Sequence, residues 1–86
     1  MQQSLELFLL AAEELNFSKA AKRAFVTQQC LSDHIKRLEQ SYGTPLFYRK
    51  PTISLTPYGL ALQAAVQNMK LIETNLTNEF RAISND

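Results

Sequence analysis

Few side chains in this sequence have the chemistry of metal ligands or nucleophiles, and their number argues against that use. Cys30 and His34 stand four residues apart, a spacing that brings two groups onto one face of a helix. They are the single cysteine and the single histidine of 86 residues, whereas a closed zinc site takes about four such ligands. Cysteine is commonly a small buried hydrophobe, and His34 reads as a packing or phosphate-contacting residue. One cysteine also excludes an internal disulfide, and with it a disulfide-stapled secreted fold. There is no Ser-His-Asp set, and two glycines do not make a phosphate-cradling loop. No enzyme, metal site or cofactor is therefore expected. What remains is hydrogen bonding and charge. Gln28, Gln29, Ser32, Asp33 and Lys36 follow one another at spacings that place them on the outer side of a helix, and Arg49, Lys50 and Thr52 follow at a turn. A glutamine amide pairs with adenine N6 and N7, a carboxylate accepts from cytosine N4, and lysine and arginine meet phosphate.

The elements that must hold these groups are mostly helical. An apolar share of 45%, with five Phe and three Tyr, is enough for one compact core, and 86 residues leave little room for more. Leu5, Phe8, Leu9, Ala12 and Leu15 recur at helical spacing, and Asn16-Phe17-Ser18 interrupts them. Ser18 is the expected N-cap of a second, short helix from Lys19 to about Phe25, with Ala20, Ala21 and Ala24 allowing close approach. Thr27 is the expected N-cap of a third helix, about 28–42, that stops at Gly43. Its inward stripe is Leu31, Ile35, Leu38 and Tyr42. Gln29, Asp33, Lys36 and Gln40 form the opposite face, with Ser32 and Arg37 at its borders. Residues 46–49 and 53–55 have strand-like composition around the turn Lys50-Pro51-Thr52. Thr56-Pro57 then caps a long last helix running towards Ile83. On it Leu62, Met69, Leu76 and Ile83 recur every seven residues, with Ala65 and Ile72 between them and Glu79 breaking the second series.

Net charge is only +1, but its distribution is uneven. Residues 18–50 carry seven basic side chains against Asp33 and Glu39, while residues 1–17 hold Glu6, Glu13 and Glu14 and no basic partner. The apolar run from Leu7 to Ala12 follows Glu6 and no basic lead, unlike a secretory signal. No stretch approaches the roughly 20 apolar residues of a membrane span, so a cytoplasmic protein is expected.

Two short helices joined by a tight turn, with Ala21 ten residues before Leu31, have the packing of a helix-turn-helix. Three-helix bundles that bind only proteins share that bare pattern. The run Phe17-Ser18-Lys19-Ala20-Ala21, then Val26-Thr27-Gln28, Leu31-Ser32, Ile35, Leu38-Glu39, Gly43, Pro45-Leu46-Phe47, Arg49, Leu55-Thr56 and Gly59 resembles the N-terminal domain of LysR-type transcriptional regulators, over roughly residues 3–66. The resemblance implies a mainly α fold: a winged helix-turn-helix (three-helix bundle plus a short β-hairpin wing) over residues 1–56, and a linker helix for dimerisation over 57–86. It further implies a homodimer, with higher oligomers in a full-length protein. The dimer would bind an inverted-repeat promoter site in double-stranded DNA, with the third helix in the major groove and the wing, about 46–55, on backbone or minor groove. A C-terminal domain of two α/β lobes for a small-molecule effector is implied beyond the present residues, making this chain a fragment of a longer protein.

On that reading the DNA-contacting residues are Ser18, Thr27, Gln28, Gln29, Ser32, Asp33, Lys36, Arg49, Lys50 and Thr52. The dimer seam is Leu62, Ala65, Met69, Ile72, Leu76 and Ile83. Ser18 and Thr27 stand at helix starts, where free backbone N–H groups favour phosphate, and simple capping is their other role. Three positions depart from the family. Asp33 replaces a residue that is usually basic; it either contributes base preference or pairs within the helix with Arg37. Gln29-Cys30 stands where proline is frequent. Five residues separate Arg49 from Leu55, one fewer than usual.

Overall fold

A computed structural model describes residues 1–85. The chain order is α1 (Gln3–Glu14), α2 (Phe17–Ala24), α3 (Gln28–Tyr42), β1 (Phe47–Tyr48), β2 (Ser54–Leu55) and α4 (Pro57–Ser84). This is the winged helix-turn-helix with a long final helix that the sequence patterning predicts. Each helix start has a cap drawn from its own sequence except α1. Thr27 accepts the Cys30 N–H, Thr56 accepts the Gly59 N–H, and Pro57 opens α4, where its missing N–H is not needed.

The cap of α2 differs from expectation. Asn16, not Ser18, holds extended backbone (φ −156°), and its side chain accepts the Lys19 N–H at 2.9 Å. An Asn three residues before an unpaired N–H forms the same ring a Ser would, so α2 starts two residues earlier and Ser18 lies inside its first turn. Between α1 and α2 the backbone turns through Leu15 in the left-handed region (φ 49°), and between α2 and α3 through Phe25 (φ 57°). A side chain in that region costs about 1–2 kcal/mol relative to glycine. At Phe25 no burial offsets it, since its ring is 96% exposed.

The core gathers Leu7, Phe8, Ala11 and Ala12 of α1, Ala20 and Ala21 of α2, Leu31, Ile35 and Leu38 of α3, Leu46 and Phe47 at the wing base, and Val66 of α4. Phe47 is the wing's anchor. Its ring lies 5.6 Å from that of Phe8 and meets Phe17 edge-on at 5.3 Å, joining the wing to α1 and α2. The strands pair antiparallel, Phe47 with Leu55 and Tyr48 with Ser54, and are shorter than their composition suggests. The Lys50–Pro51 peptide between them is cis. Tyr42 does not complete the inward stripe of α3. It is 53% exposed, because α4 leaves the body beside it and the two helices diverge into an open groove lined by Tyr42, Leu46, Tyr58 and Leu62.

The first turns of α4 pack on this body through Gly59, Leu62 and Val66, and further along Glu73 Oε1 meets the Met1 amine at 3.3 Å. Residues 67–85 are all exposed, and the molecule measures 54 × 26 × 20 Å, its long dimension set by the helix projecting past the core. No helix among the described residues is long and apolar enough to cross a membrane.

Candidate nucleic-acid interface

The outer side of α3 is built by its own inner side. With Leu31 and Ile35 fully buried, Gln28, Gln29 and Lys36 are held in solvent, and Ser32 and Asp33 lie half-buried at the edge. Thr27 Oγ1 accepts the Cys30 N–H at 3.0 Å, which leaves its own O–H proton to donate outward. Capping and phosphate contact are thus compatible at this hydroxyl. Ser18, exposed in the first turn of α2, is not a cap at all.

Asp33 does not pair with Arg37. Gln29 Nε2 donates to Asp33 Oδ1 at 2.9 Å, one turn towards the N-terminus. The pair leaves two unengaged acceptors, the Gln29 carbonyl oxygen and the second Asp33 oxygen, beside one amide N–H. Acceptors in that position suit the exocyclic amino groups of cytosine or adenine in the major groove.

Cys30 and His34 do not form a ligand pair. His34 Nδ1 is hydrogen-bonded to Ser4 Oγ at 2.7 Å, a bridge from α3 to α1, and Cys30 is half-buried. Among the described residues no three His, Cys, Asp or Glu side chains gather as a metal site.

The basic block is smaller in space than in sequence. Arg23 Nη1 donates to Glu13 and Glu14, each at 3.0 Å, and those hydrogen bonds, that to Glu13 first, hold its pKa above the usual value. Arg49 is also engaged. Its Nη1 donates to Glu39 Oε2 at 3.2 Å and to the Phe47 carbonyl at 3.1 Å, and its Nη2 donates to Glu39 Oε1 at 3.1 Å. The guanidinium carbon lies 5.6 Å from the centre of the Phe17 ring and 6.0 Å from that of Phe47. Lys19, Lys22, Lys36, Arg37 and Lys50 are exposed and have no carboxylate partner among the described residues. Thr52 is exposed at the wing tip with Lys50. Glu39 belongs to the run that resembles the family, but nothing in its spacing shows that the chain returns Arg49 to it ten residues later.

Along α4, Met69, Ile72, Leu76 and Ile83 are exposed, Ile72 by 66% and Ile83 by 70%. Leu62 turns inward to the core, Ala65 is half-buried, and Val66, absent from the heptad reading, is the fully buried residue. Phe80 is exposed one position after Glu79 and restores an apolar group to the stripe at that level. The spacing follows 3.6 residues per turn where a strict heptad would have run into Glu79.

A family model described as the bacterial regulatory helix-turn-helix protein, lysR family, matches residues 2–60. The chain belongs to the LysR family. Among its relatives, the HTH-type transcriptional regulator ArgP of Aeromonas salmonicida is 37% identical over 67 residues, covering 78% of this chain and 22% of that protein. This LysR-family chain therefore spans about a fifth of the length of that relative. Among solved structures, a BenM_DBD/catB site 1 DNA complex is similar at a TM-score of 0.90 and 25% identity, over 100% of this chain and 99% of that one. DarR of Vibrio fischeri, solved in complex with DNA, is similar at a TM-score of 0.82 and 32% identity, over 95% of this chain and 28% of that one. Both likenesses extend through α4, beyond the segment that the family model matches.

Proposed function

We propose that this chain is the sequence-specific DNA-binding part of a cytoplasmic transcriptional regulator without catalytic activity. Residues 1–56 form the DNA-binding unit and residues 57–86 the dimerisation helix. Two copies bind an inverted-repeat site, each with α3 in a major groove and its β1–β2 wing on the backbone or minor groove. The observation that carries this reading is the face of α3: exposed amide and ammonium groups beside a half-buried carboxylate, on a helix whose opposite face buries Leu31, Ile35 and Leu38. The likeness over the whole chain to a domain crystallised with DNA supports it. Thr27, Gln28 and Ser18 meet phosphate or base edges at the helix starts. Gln29, Ser32, Asp33 and Lys36 lie along the groove, and Arg49, Lys50 and Thr52 touch the backbone from the wing. Met69, Ile72, Leu76 and Ile83 form the seam between copies, with Leu62 and Ala65 at its base.

The test is salt. Each neutralised phosphate releases counterions, so log affinity should fall with log salt by about 0.9 per contact, and six to ten contacts amount to roughly 10³–10⁵ between 50 and 200 mM. Titration of the purified chain against inverted-repeat and random duplexes at several salt concentrations measures this. Absence of binding at low salt would refute the proposal.

Asp33 is the chosen departure for a second experiment. An acid beside phosphates opposes binding in general, while its free oxygen accepts from a base amino group in particular. Asp33→Ala is therefore expected to tighten binding to random duplex and to flatten base preference at one position by about 1–3 kcal/mol. Selection from a randomised-site library reads both effects, and an unchanged preference would remove Asp33 from the readout.

A further inference from the structure

The geometry points to Glu39 as the positioning residue for the wing arginine: it holds one edge of the Arg49 guanidinium so that the adjacent Nε–Nη2 edge forms a preassembled fork for a single phosphate. This assignment rests on the DNA-binding reading above and concerns how one contact within it is made.

Glu39 sits in the last turn of α3, its side chain 17% exposed, and its carboxylate joins three parts of the fold. Oε2 accepts the Leu46 N–H at 2.7 Å and, more weakly, the Phe47 N–H at 3.4 Å, while both oxygens take Arg49. One carboxylate thus ties the recognition helix to the wing base and to the wing's arginine. The consequence lies in the geometry of the guanidinium. It carries five N–H donors in a rigid plane. Two face Glu39 across the Nη1–Nη2 edge, and the outer N–H of Nη1 is taken by the Phe47 carbonyl. The remaining two, Nε–H and the outer N–H of Nη2, point the same way from one edge, and no acceptor meets them among the described residues. Parallel N–H groups of this kind are the bidentate form in which arginine binds phosphate. The Phe17 and Phe47 rings lie beside the group, and the Arg49 side chain is 46% exposed.

The pair brings almost no net charge to the DNA, because Glu39 cancels Arg49. Its contribution therefore has to come from orientation, and this separates it from the unpaired Lys36 and Lys50. Charge and orientation predict opposite signs for one substitution. Glu39→Gln removes a negative charge near DNA, which by Coulomb attraction alone tightens binding. A glutamine oxygen in the place of Oε2 still accepts the Leu46 and Nη1 N–H groups, but its NH2 replaces Oε1 and cannot accept from Nη2, so the two-point grip is lost and a looser arginine must be ordered on binding.

We expect Glu39→Gln to weaken binding of the chain to its inverted-repeat duplex by about tenfold, a coupling typical of residues in direct contact. Thermal unfolding monitored by circular dichroism reports whether the wing stays attached. In an Arg49→Ala background the same Glu39→Gln change should not weaken binding. Arg49→Lys, which keeps the charge without the planar fork, should lose affinity by a similar factor and gives a second route if Glu39→Gln does not fold. Tighter or unchanged binding by Glu39→Gln overturns the assignment. So does an equal loss in the Arg49→Ala background, which would place the effect in the fold. If the unaltered chain shows no salt-dependent binding to any duplex, it is the DNA reading itself that fails.

Discussion

Replacing Met69 and Leu76 together with glutamate is expected to leave the chain monomeric and to weaken its binding to an inverted-repeat duplex by about 10²–10⁴, the range by which linking two sites exceeds one. Both side chains lie beyond Val66, the last buried residue of α4, where every described position is exposed, so the body should keep its helical content. The stripe they belong to also holds Ile72, Phe80 and Ile83, all exposed. Covering a large apolar side chain is worth about 1.5–3 kcal/mol, and a contiguous row of them is more than a monomer ordinarily leaves in water. Two added carboxylates per copy would have to be buried against that row, which costs more than the row returns. Sedimentation of the double variant measures the assembly, and duplexes carrying one or two half-sites measure its consequence. A variant that still sediments as a dimer would show that these two side chains are outside the seam.

Gly59→Ala is expected to destabilise the domain by about 2 kcal/mol, a fall in Tm of roughly 8–16 °C for a domain of this size. Helix propensity alone predicts the opposite, a gain of about 1 kcal/mol for Ala over Gly within α4. Contact decides the sign. A Cβ at Gly59 would overlap the Leu46 carbonyl oxygen and stand 2.9 Å from Leu55 Cδ2. That carbonyl is not free to move, because it accepts the Thr56 N–H at 3.0 Å. Overpacking of this kind costs about 1–3 kcal/mol, and the hydrogen bond lost when Leu46 shifts adds about 1 kcal/mol. A melting temperature equal to or above that of the unaltered chain would contradict this account.

Much of the fold could be read from spacing. Leu31, Ile35 and Leu38 at helical intervals, Thr27 and Gly43 at the ends, and Thr56-Pro57 before the last helix each specify a local conformation on their own, and α3 and α4 lie where these residues place them. Ser18 misled because two good caps stand two residues apart, and only backbone geometry chooses Asn16 between them. Tyr42 misled because a helical stripe cannot tell where the neighbouring helix diverges. The candidate site was legible as a set of residue types and much less as a set of bonds. Gln29 and Asp33 share a helix at i and i+4, so their pairing was within reach of sequence reasoning. Arg37 offered the same spacing on the other side, with a charge to recommend it. The Ser4–His34 and Glu39–Arg49 contacts join segments that meet only after folding, and no periodicity encodes them.

Thr56 shows how the two ends of the molecule are joined. It is buried; its N–H is held by Leu46, its hydroxyl donates to the Pro45 carbonyl at 2.8 Å, and the same oxygen accepts the Gly59 N–H at 3.0 Å. The junction has no slack. These bonds fix the start of α4 against the wing base at Pro45 and Leu46, and a helix of 28 residues is about 42 Å long, so a rotation of a few degrees at this junction moves its far end by a few ångströms. In the dimer proposed above, the angle at which α4 leaves each wing base would set the separation of the two copies of α3, as the hinge of a calliper sets its gap.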